Sequence, residues 1–138
     1  MPVDPLVLRR RLQALERYLR ALRELQRLGR DAFVNDRAVQ DRVERNAELL
    51  AQVCADIALH VVAASGRSAP ETYGDAVRAL GPLIGLPEPV AARLAAAVRL
   101  RNLLVHMYVD IDHGRLFDED AEALAVTIER WLRTAERP

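Results

Sequence analysis

The chain has 138 residues, the size of one ordinary domain and long enough to bury a core without disulfides or metals; one domain is expected over residues 1–138. Twenty arginines balance twenty acids for a formal net charge of zero, which excludes a uniformly basic, nucleic-acid-coating surface but not a local patch. Half the residues are hydrophobic and only 4% aromatic, so the core should be built from helix-forming aliphatics.

From Pro5 to about Leu28, Leu8, Leu12, Leu15, Leu19 and Leu22 recur at alternating four- and three-residue steps, one stripe of an amphipathic helix. Arginines dominate its other side: Arg9, Arg10, Arg11, Arg17, Arg20, Arg23, Arg27 and Arg30 face only Asp4, Glu16 and Glu24 in the first thirty residues. This imbalance reads as a solvated helix face. Gly29 should end the helix, and "RDAFVNDRA" reads as a short connector plugged by Phe33.

A second long helix is expected from near Arg37 to Gly66, with Val39, Val43, Ala47, Leu50, Cys54, Ile57 and Val61 on its buried stripe. Cys54, the single cysteine, is expected to be a packing residue in a reducing compartment. "SGRSAPETYGDAVRAL" contains a turn and a shorter helix, with Pro70 in its first turn and Gly81-Pro82 closing its end, and "GPLIGLPEP" reads as a loop. Another helix runs from Glu88 through "PVAARLAAAVRLRNLLVH"; being apolar on most sides, it is expected to be the most buried element. "VDIDHGRLFDED" then reads as a polar connector, and a last helix is expected from Asp118, as N-cap, to about Ala135. The fold class is therefore all-α, an antiparallel helical bundle of four main helices plus a short one. No segment resembles a signal peptide and no uninterrupted apolar stretch spans a bilayer, so a cytoplasmic location with no membrane partner is expected.

The chemistry concentrates in "RNLLVHMY", Arg101 to Tyr108. On a straight helix Asn102 and His106 share one face while Arg101 and Tyr108 share another stripe, so convergence requires a helix terminus or the seam of a dimer. Histidine exchanges protons near neutrality and arginine pairs its donors with a phosphate. On RNA, whose 2′-hydroxyl is a built-in nucleophile, that pair suffices without metal. Spacing alone leaves the other reading open, a histidine that caps or packs at a helix end. Asp56 and His60, four apart, are either a supporting pair beside this motif or an exposed pair on one helix face. Asp110, Asp112 and His113 read as solvated turn residues, with no metal expected. Trp131, Leu132, Tyr18 and Tyr73 read as core or contact residues.

Arg101-Asn102, His106 and Tyr108 form an R-N-x-x-x-H-x-Y motif followed by "VDID", and "RLQALERYLRALREL", "NAELLAQVCADIALHVVA" and "SAPETYGDAV" precede it in order. Over nearly its full length the chain resembles the HepT subfamily of HEPN domains. That resemblance implies a HEPN-like helical homodimer acting as a metal-independent endoribonuclease toxin, needing no cofactor and cleaving RNA such as tRNA or mRNA. It implies an MntA-like nucleotidyltransferase antitoxin as partner, which adds AMP to the motif tyrosine. Carried over, Arg101 stabilises the transition-state phosphate, His106 is the general acid or base, Asn102 supports them and Tyr108 is the AMPylation site. The rival function is a non-catalytic helical module that binds nucleotide or the nucleotidyltransferase.

Overall fold

The computed structural model describes residues 3–99 and 111–135; for residues 111–116 and 135 the description is of backbone only. The described residues form six helices and no strand: α1 (Pro5–Gln26), α2 (Arg30–Asn35), α3 (Arg37–Ala64), α4 (Tyr73–Ile84), α5 (Glu88–Arg99) and α6 (Ile111–Ala135). The all-α class expected from the sequence is what the chain adopts.

Local chemistry explains most boundaries. Asp4 caps α1, its Oδ1 accepting from the amides of Leu6 (3.0 Å) and Val7 (3.4 Å), with Pro5 at the first helical position, where its missing N–H costs nothing. The connector after α1 contains a helix of its own, α2, and Phe33 is buried beneath it as anticipated. Asp36 then caps α3 through the amide of Ala38 at 2.9 Å. Thr72 caps α4, its hydroxyl accepting from the Asp75 amide at 3.1 Å, so Pro70 lies ahead of the helix and not in its first turn.

Gly81-Pro82 does not close α4 and "GPLIGLPEP" is only partly a loop. The helix continues to Ile84 and ends at Gly85, whose φ of 80° is the left-handed conformation that glycine adopts without strain. The amides of Gly85 (3.0 Å) and Leu86 (2.9 Å) both donate to the Gly81 carbonyl, capping the end. Gly81 serves packing instead: a Cβ built on it would lie 3.2 Å from the Ala91 Cβ of α5.

The core is the sum of the helix stripes. Leu8, Leu12, Leu15, Leu19 and Leu22 of α1 are all buried, as are the seven α3 positions picked out by periodicity. α3 touches every other helix and contributes twelve buried residues, so it is the central element, in place of the helix that enters the motif. The sequence misleads because α5 is alanine-rich: its described part is amphipathic, with Arg93, Ala96 and Arg99 exposed and Ala91, Leu94, Ala95, Ala97 and Val98 buried. By length and hydropathy α3 is also apolar enough to cross a membrane, but just over half of its most apolar window is buried against the other helices, the signature of a core helix.

α1 and α3 run antiparallel, since Asp4 meets His60 and Arg11 meets Asp56. α4 and α5 are antiparallel as well, with Gly74 against Arg99 and Gly81 against Ala91. α6 closes the bundle against α1 and α5. It starts at Ile111, seven residues before the expected Asp118. Asp118 is no N-cap: it lies inside the helix, 2% exposed, one residue after the buried Phe117 that opens the stripe of Ala121, Leu124, Ile128 and Leu132.

Candidate functional site

Arg101, Asn102, His106 and Tyr108, the proposed catalytic and modification residues, lie outside the described residues, as does Asp110. What is described is the frame on either side, α5 up to Arg99 and α6 from Ile111. Asp112 and His113 fall in the first turn of α6 and not in a loop.

Two contacts fix that frame. Arg93 of α5 grips Asp120 of α6 with a two-pronged bridge, Nε to Oδ2 at 2.8 Å and Nη2 to Oδ1 at 2.9 Å. Paired donors of this kind fix orientation as well as distance. Asp120 is only 4% exposed, so its charge depends on this partner, and the hydrogen bond raises the Arg93 pKa above its already high value. The second contact is Arg99, two residues before Arg101, whose guanidinium lies over Gly74 at the start of α4. A Cβ there would come within 2.9 Å of Arg99 Nε and 3.3 Å of the Ala95 carbonyl oxygen.

On the outer side of α6, Arg23 Nη2 donates to Glu122 Oε2 at 2.9 Å, tying α6 to α1. The hydrogen bond and charge of Arg23 hold the Glu122 carboxyl below the usual range, and Glu122, with the buried Asp118 adding its charge, raises the Arg23 pKa. This pair lines a groove between α1 and α6 in which Arg20, Arg23 and Arg27 alternate with Glu16, Glu24, Glu122 and Glu129.

Asp56 and His60 are not bonded to each other by any described contact; each is half-buried and reaches α1. Asp56 Oδ1 accepts from Gln52 Nε2 at 3.0 Å and its Oδ2 lies 3.8 Å from Arg11 Nη1. His60 Nε2 accepts from the Asp4 backbone amide at 3.3 Å. Both therefore brace α3 against the N-terminal half of α1, a contact their i, i+4 spacing did not reveal. The groove above Asp56 holds Arg10, Arg11 and Tyr18 over an apolar floor of Val7, Ala14, Leu49 and Val53, with a volume of about 450 Å³.

The remaining singled-out residues are structural. Cys54 is fully buried, and burial pushes its thiol up to about 12. Leu132 is core, Trp131 and Tyr18 pack half-buried against it, and Tyr73 is exposed. Among the described residues no three histidine, cysteine, aspartate or glutamate side chains gather as metal ligands. The Arg93 to Asp120 bridge escaped sequence reasoning because its partners lie 27 positions apart.

Comparison with known proteins adds three findings. A family model described as "Ribonuclease HepT-like" matches residues 15–130. A tRNA nuclease HepT from Aphanizomenon flos-aquae (strain 2012/KM1/D3) is 30% identical over 115 residues, covering 83% of this chain and 78% of the relative. Among solved structures, a mutant MntA-HpeT toxin-antitoxin crystal structure superposes with a TM-score of 0.78 at 23% identity, covering 90% of this chain and 98% of that one. The tri-AMPylated HEPN toxin of Shewanella oneidensis in complex with its MNT antitoxin gives 0.77 at 24% identity, covering 90% and 97%.

Proposed function

Because the chain belongs to the Ribonuclease HepT-like family, we propose that it is the endoribonuclease toxin of a toxin-antitoxin pair, with tRNA as the substrate class. The observation that carries this reading is the coincidence of an intact R-N-x-x-x-H-x-Y motif at residues 101–108 with a relative that is a tRNA nuclease.

Chemically, His106 takes the proton of a ribose 2′-hydroxyl as that oxygen attacks the adjacent phosphorus. Arg101 holds the pentacoordinate phosphorane through paired N–H donors, whose charge matches the extra negative charge that develops there. The bond to the 5′-oxygen breaks, that oxygen takes up the proton that the His106 imidazolium gives back, and the products are a 2′,3′-cyclic phosphate and a 5′-hydroxyl. Asn102, four residues before His106 in sequence, orients the ring. No metal takes part in this sequence of bonds. The partner is a nucleotidyltransferase antitoxin of the MNT type, and its reaction joins the Tyr108 phenol oxygen to the α-phosphate of ATP with release of pyrophosphate. The added phosphodiester then competes for Arg101. The active assembly is a homodimer with the two motifs at a shared cleft.

The test is purified protein with total tRNA in EDTA. Cleavage that ends in 2′,3′-cyclic phosphates, and that is lost in both Arg101→Ala and His106→Ala with unchanged helical content, is expected. Cleavage of a substrate that lacks the 2′-hydroxyl at the scissile nucleotide refutes the mechanism.

A further inference from the structure

The groove between α1 and α3 contrasts with the one between α1 and α6. In the latter, arginines and glutamates alternate and Arg23 is satisfied by Glu122 at 2.9 Å. In the former, Arg10 and Arg11 are accompanied by one carboxylate, Asp56, which is 3.8 Å from Arg11 Nη1, beyond hydrogen-bonding range. Asp56 gives its other oxygen to Gln52. Arg11 Nε is buried and has no acceptor among the described residues. A buried donor left unmade is costly, so protein acceptors do not fully engage the Arg11 head, and its exposed part faces the groove. Tyr18 forms an aromatic wall of the same groove, its ring held by Arg17, whose guanidinium lies 5.3 Å from the ring centroid.

We propose that this groove is a phosphate-binding subsite for the RNA strand, in which Arg10 and Arg11 grip a backbone phosphate and Tyr18 offers its ring to a base. The inference rests on the ribonuclease reading above and adds to it a place where substrate is held by residues outside the 101–108 motif. Guanidinium donors match phosphate oxygens in pairs, and an aromatic beside them stacks a base without regard to its identity. Arg10 and Arg17 stand seven residues apart on α1, about 10 Å along the helix, a span that serves successive phosphates of a strand better than the single phosphate of a free nucleotide. The apolar floor of Val7, Ala14, Leu49 and Val53 suits the face of a base or sugar.

The experiment uses full-length His106→Ala protein, silenced for cleavage, and a fluorescein-labelled single-stranded 12-mer oligoribonucleotide read by anisotropy over a salt series. Arg10→Ala with Arg11→Ala should weaken binding about tenfold or more and lower the salt slope by about 0.7, the share of one phosphate contact on a single strand. Arg17→Ala, which removes the guanidinium beside the Tyr18 ring, should reduce both by a smaller amount. Arg20→Ala with Arg27→Ala removes equal charge from the other groove and should change neither. Circular dichroism melts accompany each variant, so that Arg17→Ala carries the test if the double variant unfolds. Unchanged affinity and slope in the groove variants, an equal loss in the Arg20 and Arg27 control, or full displacement of the 12-mer by millimolar AMP overturns the proposal. So does a loss confined to capture of the nucleotidyltransferase, which makes the groove a protein-docking site. If wild-type protein cleaves tRNA while the groove variants bind like their parent, only this subsite fails; if wild-type protein neither cleaves nor binds RNA, the ribonuclease reading itself fails.

Discussion

Gly74→Ala is the substitution whose sign the structure decides. In a helix, replacing glycine with alanine ordinarily stabilises by about 0.4–1 kcal/mol, because the unfolded chain loses freedom. Gly74 sits in the first turn of α4, directly after Tyr73, with an ordinary helical backbone, so that gain is available. Against it, the new Cβ would meet Arg99 Nε at 2.9 Å and the Ala95 carbonyl oxygen at 3.3 Å. The carbonyl belongs to the α5 backbone and cannot rotate away, and the guanidinium must leave its seat. Overpacking of this kind costs about 1–3 kcal/mol, so the net effect is a loss centred near about 1 kcal/mol and no larger than about 2.6 kcal/mol. With an unfolding entropy of about 2.1 cal/mol/K per residue, the whole chain changes stability by about 0.29 kcal/mol per degree, and the melting temperature should fall by about 3 °C and by no more than about 9 °C. Thermal melts by circular dichroism measure this. A double-mutant cycle with Arg99→Ala localises the cause, since the Gly74→Ala cost should shrink or reverse once the guanidinium is gone. Cleavage should fall along with stability, because Arg99 is two residues from Arg101. A rise in melting temperature for Gly74→Ala alone refutes the packing of Arg99 on α4.

Tyr108→Phe should remain toxic in the presence of an active nucleotidyltransferase partner and gain no mass in steps of AMP; neutralisation as complete as that of wild type would show that inhibition runs through binding alone. Cys54, fully buried with its thiol pushed up to about 12, should resist thiol reagents at pH 8 in the native protein and react at once in denaturant; prompt native-state labelling would contradict its place in the core. Glu122 has a folded pKa lowered by Arg23, so its contribution is present above the unfolded carboxylate value near 4.3 and is lost as pH falls through the lower folded value. Because both partners are substantially exposed, Glu122→Gln should cost less than about 1 kcal/mol at pH 7 and flatten part of the acid limb of the stability curve; an identical acid limb would remove the pair from the account.

Much of the fold was legible because burial follows helical period. Every leucine of the α1 stripe and every α3 position chosen by three-four spacing is buried. The misreadings have a shared physical origin, partners distant in sequence. Asp118 looked like an N-cap because acids before an apolar run usually are, yet α6 begins seven residues earlier. Gly81-Pro82 looked like a stop signal, whereas Gly81 answers to Ala91 across the helix interface and Gly85 supplies the turn. Alanine-rich α5 looked central because alanine counts as apolar while burying little area, and α3 with its larger side chains holds the middle. Of the candidate site, residues 101–108 were legible as chemistry, and their geometry lies outside the described residues. Asp56 and His60 reach α1 through Arg11 and Asp4, 45 and 56 positions away, and their place relative to the motif lies outside the described residues.

α6 supplies Phe117, Leu124, Ile128 and Leu132 to the core and packs on both α1 and α5. A ribosome translates the R-N-x-x-x-H-x-Y segment before it reaches most of that helix. The reactive groups are thus synthesised ahead of the wall that completes their scaffold. Until α6 emerges, part of the leucine stripe of α1 lacks its cover and Arg93 has no Asp120 to hold. A nascent or prematurely released chain ending before Phe117 carries the motif without a finished bundle. With the α1 stripe uncovered and Arg93 unpaired, such a chain is expected to be a substrate for proteases and chaperones, so the motif reaches its finished frame only once the last helix is in place.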